Sequence, residues 1–250
     1  MELNPTWIDA LHSQGYVLFP ELIEKSVLQA ARKRIDKDLA EHYDSTRQIE
    51  YDQRSYCPDL RGSREIMNLL ENKSLDYVID ATVGLDRVGH DNGQIAIRKA
   101  RNADKALPTH AHIDGIPTPH NGVEGAEIKP FTILIGIFLS EVSREFAGNF
   151  TVWPGSHLLL EQHFRERGPS ALTEGLPHIP LGEPKQLLCS PGDVVLCHYQ
   201  LAHAAAVNVS ENDRYAVFFR LWFHELDAHK SPNARAAAWD HLTNIWLGWK

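Results

Sequence analysis

From about residue 93 to residue 224, short runs rich in β-branched and aromatic residues alternate with Gly, Pro and Asn. Runs of this kind predict strands, and many short strands separated by turn residues predict a β-sandwich or barrel. Within this region, residues 155–182 are predicted to be mostly loop with one helical turn. The predicted strands comprise residues 94–100, 110–114, 131–140, 149–153, 185–189, 193–198, 204–209 and 214–224.

The residues before this β-rich region have the spacing of amphipathic helices. In 22–43, Leu22, Val27, Ile35 and Leu39 recur on one helical face. No repeat or linker is visible, so we expect a single domain with a mostly helical support over 1–92, a β-core over 93–225 and a C-terminal helix over 226–250. The other helices predicted in the first part comprise 6–14, 63–72 and 73–84, with a strand at 15–20.

Composition narrows the classes of partner. The formal net charge of −8 argues against nucleic acid, whose phosphates are bound by clustered Lys and Arg, and favours a small-molecule partner. Three cysteines without a CxxC pair predict neither a disulfide framework nor a zinc cluster. No signal peptide is visible, and the longest apolar run, 131–139, is too short to span a bilayer, so we expect a cytoplasmic protein without membrane contact. The oligomeric state is left open.

The segment LPTHAHIDGIP, residues 107–117, carries His110, His112 and Asp114 at alternate positions. Alternate residues of a strand point the same way, so the three side chains could face one pocket. Non-haem Fe(II) oxygenases use two His and one carboxylate and leave the other metal positions open. His203 is a candidate for a distant third ligand. Arg214 lies eleven residues later, and a guanidinium pairs bidentately with a carboxylate such as that of a dicarboxylate cosubstrate.

Further motifs carry a resemblance to a known family. GNFTVWPGSH at 148–157 is followed by PGD at 191–193 and then by His203, Asn208 and Arg214. Together with HID at 112–114, this order resembles the phytanoyl-CoA dioxygenase family of Fe(II)- and 2-oxoglutarate-dependent oxygenases, over nearly the whole chain. The resemblance implies a mainly β fold with α-helices: a double-stranded β-helix (jelly-roll, cupin-like) core with the helical N-terminal half packed on one side.

The resemblance also implies an activity and a set of site residues. His112, Asp114 and His203 would bind Fe(II), and Arg214 would bind the distal carboxylate of 2-oxoglutarate, with Arg98 and Thr151 as further contacts. O2 would be the oxidant, and succinate and CO2 the co-products. The expected outcome is hydroxylation of a small organic substrate. Desaturation, epoxidation, epimerisation and cyclisation stay open, whereas a carboxylate at 114 argues against halogenation.

Several assignments keep alternatives. Arg98 is equally well explained by a surface ion pair. Arg220 has the strand parity of Arg214, so we expect it to point inward, toward an acidic substrate or a buried acid. Residues 115–130 form either a lid over the substrate or an ordinary loop. His157 and His198 are expected to be structural. The remaining candidates for substrate contact or for support of the metal ligands are His110, Trp153 and Tyr199.

Two other classes of protein are distant alternatives. A non-catalytic jelly-roll that binds a ligand or a partner protein would be expected to lack part of the His–Asp–His–Arg set, which is complete here. A cupin-type metal isomerase or hydrolase could use His110 and His112, but it would want a glutamate near position 116, where this chain has Ile. The sequence leaves the substrate unidentified.

Overall fold

The computed structural model describes residues 6–101, 109–116, 129–168, 170–171, 174–227 and 234–250. Short 3-10 helices lie at Ser45–Arg47, Pro58–Leu60, Leu85–Arg87 and His224–Leu226. The α-helices are α1 Thr6–Gln14, α2 Lys25–His42, α3 Gln48–Gln53, α4 Arg64–Met67, α5 Lys73–Thr82, α6 Ser156–Arg167 and α7 Ala234–Thr243.

Within the described parts of the chain, nine strands form two antiparallel sheets. The larger sheet has the order β1-β7-β4-β9-β2, with β3 also paired to β9, and the smaller has the order β6-β5-β8. Two antiparallel sheets braced by helices confirm the predicted jelly-roll class. The strands are β1 Tyr16–Phe19, β2 Val88–His90, β3 Gln94–Arg98, β4 Ile133–Phe138, β5 Phe150–Val152, β6 Lys185–Gln186, β7 Val194–His198, β8 His203–Ala205 and β9 Arg214–Phe223.

The centre of the large sheet is buried on both faces, as its strand β4 illustrates. Ile133, Ile135 and Ile137 pack in a cluster with residues of α1, α2 and α5. Leu134 and Phe138 point the other way, into the cluster between the two sheets. Because side chains alternate along a strand, this one run seals the sheet against the helices and also lines the interior of the jelly roll. The predicted packing of the helical N-terminal half on one side is confirmed.

Gly136 on β4 makes room for an aromatic ring inside the jelly roll. It pairs with Phe218 of β9. A Cβ atom at position 136 would lie 2.5 Å from Cε1 of Phe218, which is closer than two non-bonded carbon atoms can approach. The absence of a side chain therefore lets the Phe218 ring lie against β4, where it becomes part of the cavity described below.

Several elements differ from the sequence-based predictions. Residues 155–182 contain a longer helix than the single turn predicted, because α6 occupies Ser156–Arg167. The Pro-Gly before α6 and the Gly after it are typical loop signals, so the sequence did not reveal the helix. The predicted strand at 110–114 is reduced to a single bridge at His112. The sequence did not predict α3 or β2. Most of the suggested lid lies outside the described residues. No described helix is long and apolar enough to cross a bilayer.

Candidate active site

The three predicted metal ligands come together through main-chain pairing. His112 and His203 form an antiparallel bridge, with each backbone N–H donating to the other's carbonyl oxygen at 2.9 Å. His203 is the first residue of β8 in the small sheet. Asp114 lies two residues beyond His112, and its side chain is buried. The bridge therefore places the 109–116 segment against β8 and directs all three side chains into one cavity.

The donor atoms are close enough to share one ion. Nε2 of His112 lies 3.5 Å from Oδ1 of Asp114, and Nε2 of His203 lies 3.6 Å from Oδ2 of the same carboxylate. One ligand atom from each residue falls within 4.8 Å of the others. Nδ1 of His203 donates to the Leu201 carbonyl at 2.9 Å, which leaves Nε2 as the nitrogen that faces the cavity. Two imidazoles and one carboxylate form the donor set that suits Fe(II).

The Asp114 carboxylate is buried and still anionic. Burial by itself would raise its pKa, but Arg220 and the two imidazoles outweigh this effect and hold the pKa well below its ordinary value. A carboxylate kept ionised in this way can bind a divalent cation without first losing a proton. His110 is exposed and does not belong to the ligand group among the described residues. Ile116 is buried in the core. A cupin-type His-x-His site is therefore not favoured.

Arg214 is fully buried, with 2% of its surface exposed. Its Nε donates to the Gly148 carbonyl at 2.7 Å and its Nη1 to the Ala96 carbonyl at 3.2 Å. Among the residues that the structure describes, no carboxylate pairs with its guanidinium. Burial, and next the neighbouring Arg98, lower its pKa to about 9. A buried cation with only neutral acceptors is suited to an anionic ligand.

Arg98 and Arg214 are cross-strand partners on β3 and β9. Arg98 is partly exposed and turns toward α3, where its Nη1 lies 3.3 Å from Oδ1 of Asp52 and 3.2 Å from the Asp52 carbonyl oxygen. Asp52 also accepts a hydrogen bond from the Tyr56 hydroxyl at 3.0 Å and lies 3.6 Å from Arg101. Arg98 therefore has features of both predicted roles. It makes an ion pair with Asp52, and it lines the same cavity as Arg214.

The cavity has two connected parts. We call the inner chamber the part that contains the His–Asp–His group, both arginines of β9 and the rings of Phe150 and Phe218. The outer chamber shares Asp52, Gln53, Arg98 and His112 with it. Ala204 and Ala205 also line both chambers, and the outer chamber adds Lys99, Arg101, Thr109, His110, Ala206, Val207 and Asn208 among the described residues.

One face of β9 supplies much of the inner chamber. Arg214, Phe218 and Arg220 alternate with residues that pack on the helices, as the parity argument predicted. Arg220 donates through Nε to Oδ2 of Asp114 at 2.8 Å. The acid that Arg220 meets is therefore a predicted metal ligand, about a hundred residues away along the chain.

Three other predicted site residues are not brought to the cavity. Phe150 contacts the ring of His203 and lines the inner chamber, so the next residue of β5, Thr151, faces the opposite side of the strand. The Thr151 hydroxyl donates to the Asn149 carbonyl at 3.4 Å. Trp153 and Tyr199 are buried in the core. The Tyr199 hydroxyl donates to the His241 carbonyl.

His157 and His198 have structural positions beneath the C-terminal segment. Nε2 of His198 donates to the Ile245 carbonyl at 2.8 Å, and Nε2 of His157 donates to the His12 carbonyl at 3.0 Å. Burial lowers the pKa of both imidazoles, that of His157 to about 4. Both are therefore neutral at physiological pH, and neither lines the cavity.

The comparisons with known proteins agree with this geometry. The family model described as "Phytanoyl-CoA dioxygenase (PhyH)" matches residues 11–216. The chain belongs to the phytanoyl-CoA dioxygenase family. Membership of this family makes it an oxidoreductase of the Fe(II)- and 2-oxoglutarate-dependent class, so the predicted family and enzyme class are confirmed. No curated protein matches the chain at a significant level.

Solved structures share the fold at low identity. HygX from Streptomyces hygroscopicus, with nickel and 2-oxoglutarate bound, is 14% identical, with a TM-score of 0.59 over 89% of this chain and 88% of HygX. The carbocyclase SnoK from nogalamycin biosynthesis is 20% identical, with a TM-score of 0.58 over 88% of this chain and 83% of SnoK. The epimerase SnoN from the same biosynthesis is 16% identical, with a TM-score of 0.58 over 88% of this chain and 84% of SnoN.

Sequence reasoning missed several residues that line the cavity in this family member. Asp52 and Gln53 lie on α3, a helix of six residues that the sequence did not predict. Phe150 and Phe218 gave no signal of their own, because aromatic residues in β-rich segments are most often core. Gln94 could have been found, since it precedes Arg98 on β3 with the same strand parity.

Proposed function

We propose that this chain binds Fe(II) through His112, Asp114 and His203, binds 2-oxoglutarate through Arg214 with help from Arg98, and oxidises a small polar molecule. Hydroxylation is the proposed outcome. The observation that carries this proposal is the burial of Arg214, without a described carboxylate partner, in the same chamber as the His–Asp–His group. The same chamber therefore holds a group that suits a divalent metal and a cation that suits a carboxylate, and a 2-oxo dicarboxylate bound to iron needs both.

The division of work between cofactor and protein follows from the class of enzyme. Iron, 2-oxoglutarate and O2 together supply the oxidising power. The chain supplies two imidazoles and a carboxylate for the metal, and a buried cation for the cosubstrate. Phe150 and Phe218 give the inner chamber apolar walls that limit the access of water. The substrate is positioned from the outer chamber, which opens beside His112.

The substrate class is inferred from the outer chamber. Most of the residues in its described lining are polar or charged, among them Asp52, Gln53, Arg98, Arg101 and Asn208, and its aliphatic residues are the short side chains at 204–207. Such a surface fits a polar molecule with hydrogen-bonding groups better than a long aliphatic chain. HygX has been crystallised with hygromycin B, and SnoN with nogalamycin RO. By analogy, we propose a polar natural product or metabolite, for which epimerisation or cyclisation are the alternative outcomes.

The test is 2-oxoglutarate turnover by the purified protein. With Fe(II) and O2 present, we expect succinate to form slowly without substrate and faster when a polar substrate is added. Asp114→Ala and His203→Ala should abolish succinate formation, because each removes a metal ligand. His163→Ala, which changes a histidine on α6 outside the cavity, is the matched control and should keep the wild-type rate. A wild-type protein that bound neither the metal nor 2-oxoglutarate would refute the proposal.

Other features of the proposal concern the whole chain. We propose that all 250 residues form one dioxygenase domain and that it acts in the cytoplasm on a small molecule without a nucleic-acid partner. The three cysteines, Cys57, Cys189 and Cys197, are buried free thiols, which is compatible with a reducing compartment.

A further inference from the structure

Arg220 makes the closest contact of the predicted metal carboxylate. Its Nε and Nη2 both donate to Oδ2 of Asp114, with Nε at 2.8 Å. Oδ1 of Asp114 receives neither of these bonds and lies 3.5 Å from Nε2 of His112. The Asp114 side chain is only 5% exposed, whereas that of Arg220 is 33% exposed. The guanidinium therefore approaches the carboxylate from the cavity side and engages one of its two oxygens.

Arg220 is itself fixed by a second residue. Its Nη1 donates to Oε1 of Gln94 at 2.8 Å, and the amide nitrogen of Gln94 donates to the Arg54 carbonyl. A continuous chain of hydrogen bonds thus runs from the end of α3, through β3 and β9, to the carboxylate. If Arg220 acted only as a counter-ion to Asp114, its charge and its proximity to the carboxylate would be sufficient. This arrangement also fixes the direction from which the charge acts, which is the property that orients a ligand.

We propose that Arg220 is a positioning residue for the metal centre: it holds Oδ2 of Asp114 and leaves Oδ1 available to the metal. The inference rests on the proposed function, because it takes Asp114 to be a metal ligand. It assigns Arg220 chiefly to the protein's own groups, since three of its five N–H donors are engaged by Asp114 and Gln94.

The competing explanation makes an opposite prediction for metal affinity. If Arg220 served only to neutralise Asp114 in the metal-free protein, its removal would relieve the repulsion between a guanidinium and an incoming dication. Metal would then bind as tightly as before or more tightly. If Arg220 positions the carboxylate, its removal lets Asp114 rotate, and loss of such outer contacts typically weakens metal binding by about 10–100-fold.

The experiment measures Mn(II) and Co(II) binding by titration calorimetry without 2-oxoglutarate. We expect Arg220→Met to weaken binding by about 10-fold or more and Arg220→Lys to recover part of the loss, because an ammonium restores the charge but not the planar fork. Arg101→Met is the matched control: it removes a cavity-lining arginine that pairs with Asp52 and does not touch Asp114. It should leave metal affinity within about 2-fold of the wild type, because long-range charge effects at an exposed site are screened.

A second readout separates positioning from general loss of structure. The visible spectrum of the Co(II)-saturated protein reports the ligand geometry, and it should change in Arg220→Met at full occupancy but not in Arg101→Met. If Arg220→Met fails to fold, Gln94→Leu keeps the guanidinium but removes its support, and it should weaken binding several-fold. Unchanged or tighter binding in the folded variants, with an unchanged Co(II) spectrum, overturns the inference. Failure of the wild type to bind metal would instead refute the proposed function.

Discussion

Replacement of Arg214 by Met should weaken the binding of 2-oxoglutarate, while metal binding and folding are largely kept. The guanidinium is buried and has no carboxylate partner among the described residues, and no acceptor of its Nη2 is found there either. A carboxylate bound at that position would form a desolvated, charge-assisted pair. Removal of one partner from such a pair costs about 2–5 kcal/mol. If Arg214→Met loses about 3 kcal/mol of binding free energy, the Kd for 2-oxoglutarate should rise by roughly 100-fold.

The stability of the ligand-free Arg214→Met protein should change much less. The variant loses hydrogen bonds to the Gly148 and Ala96 carbonyls, which costs about 1–3 kcal/mol. This loss is offset because an unpaired charge no longer has to be buried. We expect a net change of about 1 kcal/mol, or roughly 2–4 °C in Tm for a chain of this length. Metal affinity should be that of the wild type.

The assay is calorimetric titration of 2-oxoglutarate into Mn(II)-loaded protein without O2. Arg98→Met is an informative comparison, since Arg98 is partly exposed and already paired with Asp52. Its loss should raise the Kd by no more than about 10-fold, in line with a screened charge. If Arg214→Met bound 2-oxoglutarate as tightly as the wild type, the assignment of the buried cation to the cosubstrate would be wrong.

Three further outcomes are expected. Gly136→Ala should destabilise the protein by about 1–3 kcal/mol in urea unfolding, because its Cβ would meet the Phe218 ring, and Phe218→Leu on the same background should recover part of the loss. Burial lowers the pKa of His157 to about 4, so the unfolded chain binds this proton more readily and stability falls as pH drops from about 6.5 toward 4. His157→Gln should remove about 3 kcal/mol of that dependence, and an unchanged pH profile would contradict the argument. His110→Ala should bind Mn(II) as the wild type does, because His110 lines only the outer chamber. A higher Kd for Mn(II) in this variant would indicate that His110 is a metal ligand.

The sequence predicted most of the strands, because periodicity is a local property, and it singled out three residues whose side chains lie together in the structure. The ten residues of β9 show the limit. Parity placed Arg214 and Arg220 on one inward face, but it could not identify Asp114 as the partner of Arg220, since that contact depends on how two distant segments meet. Thr151 was assigned to the cosubstrate from its place in a motif. Only the pairing of β5 with β8 established that Phe150, and not Thr151, faces His203.

The sequence predicted the longer helices of the N-terminal half but not the short helix α3. The long helix α2 and the helix α5 have clear apolar spacing, and Asn72 caps α5 by accepting from the Leu75 N–H at 3.0 Å. By contrast, α3 is too short for periodicity to be visible. Its position above Arg98 follows from tertiary packing, so the contribution of Asp52 to the cavity could not be inferred from the sequence.

The separation of the cavity into two chambers has a consequence for enzyme engineering. The groups proposed to bind iron and 2-oxoglutarate line the inner chamber, whereas Arg101, Thr109 and His110 line the outer chamber and not the inner one. A library of variants at those three positions would sample new substrates while it leaves the oxidising centre intact. Directed evolution of substrate scope should therefore start at these positions, and coupled 2-oxoglutarate consumption would report which variants have gained a substrate.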